Sequence, residues 1–204
     1  RSIGHVAVEL TCGERHLLTG ATSSGPEGST TLILKKQVGF GVLMRGWPGR
    51  NESASEVLAS IRKLAARPEW YSAVSFDLSP EACARAFDYY EAYTASASPK
   101  YYGFAARPRY LEGGGCSAFA VSFVEVAGVL DLKTKAAWGQ MVRIPRSLIA
   151  HPEEGESIDL LKLLSSPDGL RWARPEEPHS VLDFYDPDRM HEWIKAIWNE
   201  PGQL

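Results

Sequence analysis

The residues most able to do chemistry are three cysteines, Cys12, Cys83 and Cys116, and five histidines, His5, His16, His151, His179 and His191. Cys116 stands out because Gly113-Gly114-Gly115 precedes it and a helical pattern follows it. A thiol in the first turn of a helix meets the positive end of the helix dipole, which favours thiolate and makes a nucleophile. The free backbone N–H groups at such a start can hold an oxyanion, and the glycines let a substrate approach the backbone. The competing reading of Cys116 is a small buried apolar residue. His5 lies in an aliphatic run, Ile3-Gly4-His5-Val6-Ala7-Val8, and shares a strand face with Ile3 and Ala7. It is either a satisfied core histidine or a base held in a desolvated site. His16 falls on the next strand after a short turn, and cross-strand pairing would put it on the same face as His5. It would then orient the imidazole and fix its tautomer. Together these residues make a nucleophile, a base and an orienting group for acyl transfer.

The remaining candidates carry less chemistry. Cys12 falls in the expected turn Thr11-Cys12-Gly13-Glu14, and Cys83 lies inside an expected helix among apolar residues. Three scattered cysteines allow at most one bridge and do not match a zinc pattern. His151 and His179 adjoin prolines and read as loop residues, and His191 reads as a surface residue of the last helix. Asp183, Asp186 and Asp188 lack the spaced ligands of a calcium loop and read as helix capping. The aromatics Trp47, Trp70, Tyr71, Tyr101, Tyr102 and Tyr110 would line a sugar- or peptide-binding cleft if exposed and belong to the core if buried. The glycine triplet lacks the Lys-Ser/Thr pair of a phosphate loop.

These groups must be positioned by an expected hairpin over residues 3–21. Two further strands are expected at 30–36 and 40–45, and a loop at 46–51. A helix over about 56–66, capped by Ser53 or Ser55, precedes a strand at 71–78. Ser79-Pro80-Glu81 begins a helix that runs to about Tyr93. A long connection, 94–115, leads to the Cys116 helix, which fades at Gly128. A strand at 141–145, a short helix at 158–164, an irregular stretch at 174–183 and a last helix at 187–199 complete the chain. Met190, Trp193, Ile194, Ile197 and Trp198 give that last helix one apolar stripe.

The order of the motifs resembles a known family. Gly4-His5-Val6-Ala7-Val8, followed about 110 residues later by Gly115-Cys116-Ser117-Ala118-Phe119 at a helix start, is similar to the circularly permuted branch of the NlpC/P60, papain-like cysteine hydrolases. The resemblance covers about residues 3–22 and 79–130. It implies an α+β fold in which an antiparallel sheet packs against a cysteine-bearing helix, with extra helical and irregular C-terminal elements. It also implies Cys116 as nucleophile, His5 as general base and His16 as the third polar group, with Gly115 and Tyr102 near the oxyanion or substrate. Residues 1–130 would form the catalytic core, with an insertion over about 30–72, and residues 131–204 an extension packed on it. The implied activity is cleavage of an amide bond, first in a peptidoglycan peptide, by an amidase or endopeptidase or a bacterial-competition toxin domain with an immunity protein as partner. Acyl-lipid or thioester hydrolysis, acyl transfer, or a silent binding module of the same fold are the alternatives. No metal or organic cofactor is required.

Length and composition bound the rest. The 204 residues are 44% hydrophobic and 23% charged, enough for a full core without staples. A net charge of −3 gives no basic footprint for bulk nucleic-acid binding. No apolar run attains the ~18 residues of a membrane span. A start at Arg1 is read as the loss of a leader or preceding domain, which favours a secreted, periplasmic or delivered effector domain.

Overall fold

A computed structural model describes residues 4–25, 29–65, 67–158, 161, 164–165 and 171–199. The described residues are mixed α+β, with 47% in helices and 23% in strands. Four antiparallel strands form one sheet in chain order: β1 (Ala7–Cys12), β2 (Arg15–Ser23), β3 (Gly46–Asn51) and β4 (Tyr101–Gly103). The β1–β2 hairpin turns at Gly13, whose φ of +60° suits glycine, and its register pairs Ala7 with Gly20 and Thr11 with His16.

Two helices pack on this sheet. One is α3 (Pro80–Ala95), where the Ser79 hydroxyl accepts from the Ala82 N–H and Pro80 occupies the first position. The other is α4 (Cys116–Ala127), closed by Gly128 at φ +80°, whose N–H and that of Val129 return to the last helical carbonyls. Between sheet and helices lies the main core: Leu10 and Ala21 from the hairpin, Cys83, Ala86, Phe87, Tyr89 and Tyr93 from α3, and Phe119 and Phe123 from α4. A disulfide joins Cys12, the last residue of β1, to Cys83 in α3 across a Cα–Cα distance of 6.1 Å. Cys12 therefore belongs to a strand and not to an exposed turn, and Cys116 is the free thiol.

Several expected elements differ. Residues 30–36 and 40–45 are not strands. They form the short helix α1 (Ser29–Leu34) and a 3-10 turn (Phe40–Met44), separated by Gly39 at φ +57°. A short apolar run carries no periodicity that separates a strand from a buried helical turn. Here Leu32, Val38 and Val42 close over Trp47 in a second cluster. The expected loop at 46–51 is instead β3. Its glycines serve packing: a β-carbon on Gly46 would strike the Tyr101 ring, and one on Gly49 would lie 2.9 Å from Tyr102 Cβ. The stretch 30–72 supplies the third strand of the sheet and then α2 (Ala54–Ala65). Residues 71–78 have no regular structure, although Val74 and Phe76 pack beside Trp138. The expected short helix at 158–164 lies largely outside the described residues.

The C-terminal part adds α5 (Leu132–Trp138), β5 (Gly139–Pro145), β6 (His179–Tyr185) and α6 (Pro187–Asn199). β5 and β6 pair antiparallel over their full length, so the expected irregular stretch at 174–183 ends in a strand. Val121, Trp138 and Met190 join these elements to α4, and the Ser117 hydroxyl donates to the Tyr185 carbonyl at 2.6 Å. A β-carbon on Gly4 would lie 2.8 Å from Pro187, so α6 begins against the residue before His5. Among the described residues no helix is long and apolar enough to cross a membrane.

Candidate active site

The approach to Cys116 is set by strand β4 and the loop that folds back on it. The Gly114 N–H donates to the Tyr101 carbonyl at 3.1 Å. Gly113 has a φ of +84°, and a β-carbon there would lie 2.5 Å from the same carbonyl oxygen; one on Gly114 would strike Pro108. These two glycines are required by the turn and its packing, whereas Gly115 has room, its nearest neighbour being Gly103 O at 3.5 Å. Gly115 is the residue before α4 and offers no side-chain cap, so Cys116 opens the helix.

Cys116 is 5% exposed. The His5 ring, the Tyr102 hydroxyl and the Val6 N–H all act on its thiol. Burial pushes the thiol up, but the His5 bond and charge, with Tyr102 and Val6, outweigh it and hold Cys116 below the usual thiol range. His5 moves the opposite way, raised to about 10, first by its bond to Cys116 and then by Glu52. His5 Nε2 lies 2.6 Å from Glu52 Oε2, and the imidazole side chain is 40% exposed against 11% for the carboxylate.

Glu52 is the group that sequence reasoning missed. It sits between β3 and α2 and is fixed by β2 on both sides of its peptide. Its N–H donates to Gly20 O at 2.8 Å, and the buried Thr19 hydroxyl donates to its carbonyl at 2.9 Å. Ser53 and Glu56 then form a reciprocal cap that starts α2. A β-carbon on Gly20 would strike the Glu52 carboxylate and lie 3.4 Å from His5 Nε2. Glycine at position 20 therefore makes the room in which the His5–Glu52 pair sits. A lone acid before a helix cap carries no motif, so nothing in the sequence singled it out.

His16 is not part of this group. It lies opposite Thr11 near the turn, exposed, with its Nε2 2.9 Å from Glu9. His5 is six residues back along the chain from Thr11, about 20 Å at the rise of a strand. The expected pairing of His5 with His16 fails because the turn at Gly13-Glu14 sets a different register.

Tyr102 is brought to the thiol. Its hydroxyl accepts from the Cys116 N–H at 3.3 Å, and its ring packs 5.4 Å from Trp47. Burial, and then the charge of Cys116, raises the Tyr102 hydroxyl, so it stays protonated and remains a donor. The other histidines take structural partners: His179 meets the Glu177 carbonyl, and His191 bridges Ser72 and the Glu69 carbonyl. Asp186 accepts from the Asp188 N–H at the start of α6. Among the described residues no group of three His, Cys, Asp or Glu side chains is gathered to hold a metal ion.

The arrangement can hold a thiolate–imidazolium pair, oriented by a carboxylate, beside two donors, the Cys116 N–H and the Tyr102 hydroxyl. No family model matches the chain, and no curated protein or solved structure matches it either.

Proposed function

We propose that this chain is a cysteine hydrolase of the permuted papain-like type, acting on an amide bond, with a peptidoglycan peptide as the first substrate class. One observation carries the reading: a free, buried thiol at a helix start is coupled to an imidazole whose Nε2 is held by Glu52 at 2.6 Å. In this reading the Cys116 thiolate attacks the carbonyl carbon while His5 carries the proton. The carbonyl oxygen gains negative charge and is met by the Cys116 N–H and the Tyr102 hydroxyl, an interaction worth about 3–4 kcal/mol per donor in comparable sites. His5 then gives its proton to the leaving amine. Water, deprotonated by His5, adds to the thioester and releases the acid, restoring the thiolate. Glu52 replaces His16 as the orienting group and stabilises the imidazolium.

The experiment is incubation of defined peptidoglycan peptides with the protein and with Cys116→Ala, read by mass spectrometry. Loss of one amide bond by the native protein and not by the variant supports the proposal. Cleavage that survives Cys116→Ala removes it. Inertness toward peptides, with turnover of acyl esters or thioesters, moves the substrate class and keeps the nucleophile.

A further inference from the structure

The loop before Cys116 presents an exposed apolar tip, Tyr110 and Leu111, with the Arg107 guanidinium 5.2 Å over one face of the Tyr110 ring. Leu111 ends the turn Pro108–Tyr110 in the left-handed region, at φ 61° and ψ 32°, where glycine is the residue without steric penalty. Its side chain is 42% exposed and that of Tyr110 66% exposed. The backbone is held firmly: the Ser98 hydroxyl donates to the Leu111 carbonyl at 2.6 Å, and Glu112 clasps Arg107 through both guanidinium arms. Leucine therefore stands at a position that favours glycine, on an anchored turn and exposed to solvent.

The charges around it point to its partner. Tyr101, 42% exposed, adjoins this turn because residues 98–101 pack on Gly113 and Leu111. Glu112, the acid of this turn, is neutralised by Arg107. Arg109 and Lys100 are exposed and have no carboxylate partner among the described residues. The Tyr101 ring lies against Gly46, so the exposed tip is Tyr110 and Leu111, beside two cations without a carboxylate partner among the described residues. Tyrosine rings sit at the headgroup level of a bilayer, leucine enters the acyl boundary, and unpaired Lys and Arg meet anionic phosphates.

We propose that Tyr110 and Leu111, flanked by Tyr101, Lys100 and Arg109, form a docking surface for an anionic phospholipid membrane. This surface lies outside the Cys116–His5–Glu52 group and stands independently of the activity proposed for it. The alternative sources of negative charge are soluble polyanions, which would engage the cations and not the apolar tip.

The test is cosedimentation with vesicles of phosphatidylcholine containing about one-third phosphatidylglycerol, compared with phosphatidylcholine alone. The native protein should sediment with the first and not the second, and less so as salt rises. Leu111→Gly should lower vesicle affinity about tenfold while leaving the thermal midpoint unlowered, because glycine suits the left-handed turn. Arg109→Glu should lower affinity at least as much. Thiol alkylation at Cys116 should be the same in all three proteins. Absence of sedimentation with anionic vesicles overturns the proposal. Vesicle binding that Leu111→Gly leaves intact, or that soluble polyphosphate abolishes at matched ionic strength, assigns the surface to simple charge attraction and also overturns it.

Discussion

Glu52 Oε2 stands 2.6 Å from His5 Nε2, and the space for that contact exists because residue 20 has no side chain. The carboxylate is 11% exposed, so it acts on the imidazole with little screening. Glu52→Gln keeps the shape and removes the charge. Turnover should fall by up to about 10⁴, the loss seen when an orienting carboxylate is neutralised. His16→Ala should leave turnover unchanged. Steady-state kinetics with the reverse ranking would return the third role to His16.

Gly20→Ala tests the same contact from the other side. Its β-carbon must displace Glu52, and overpacking of this kind costs about 1–3 kcal/mol. Turnover should fall as it does for Glu52→Gln, with a lowered denaturation midpoint. An active, fully stable Gly20→Ala protein would show that the carboxylate can move without consequence.

Tyr102→Phe removes one hydroxyl that meets both the Cys116 thiol and its backbone N–H. The ring remains free to pack on Trp47, so the fold should hold. The rate constant kcat should fall about 10²–10³-fold, the cost of one oxyanion donor, with less change in KM. A change in KM alone would make Tyr102 a substrate contact only.

The Cys12–Cys83 bridge closes 71 residues of chain and ties the hairpin to α3. Cys12→Ala with Cys83→Ala should lower unfolding free energy by about 2–4 kcal/mol, measured by denaturant titration. Cys116 alkylation should persist below the new midpoint. Unchanged stability would show that packing of Leu10, Ala21 and Phe87 alone holds the hairpin in place.

The parts of the fold legible in sequence are those with local signals. Ser79-Pro80 marks the start of α3, and Gly115-Cys116 with Gly128 brackets α4. The opposite assignment of 30–45 and 46–51 has one cause. Leu32, Val38 and Val42 are buried around Trp47 by tertiary packing, and Trp-Pro-Gly, a turn signal elsewhere, is a strand because Tyr101 and Tyr102 lie against its glycines. Cys116 and His5 were visible as chemistry and context together. Glu52 was not, because its role comes from the register of β2 against β3, which places Ala21 opposite Asn51. His16 attracted attention for its residue type, and a turn position misplaced it.

In the proposed mechanism a protonated His5 holds Cys116 as a thiolate. The signs are opposite for the two groups. His5, raised to about 10, contributes stability present below its free value of about 6.5 and lost as pH rises through about 10. Cys116, lowered, contributes stability present above its free value of about 8.5 and lost as pH falls through its own folded value. The ion pair therefore spans the interval between the lowered thiol and about pH 10. The most direct measurement is the pH dependence of iodoacetamide alkylation at Cys116, read on its peptide, in the native protein and in His5→Ala. Alkylation should begin well below pH 8.5, the ordinary value for a free thiol, and His5→Ala should move its onset to that value or above, since burial, the largest influence on the thiol, is then opposed only by Tyr102 and Val6. An onset near 8.5 in both proteins, or no alkylation at any pH, would contradict the account.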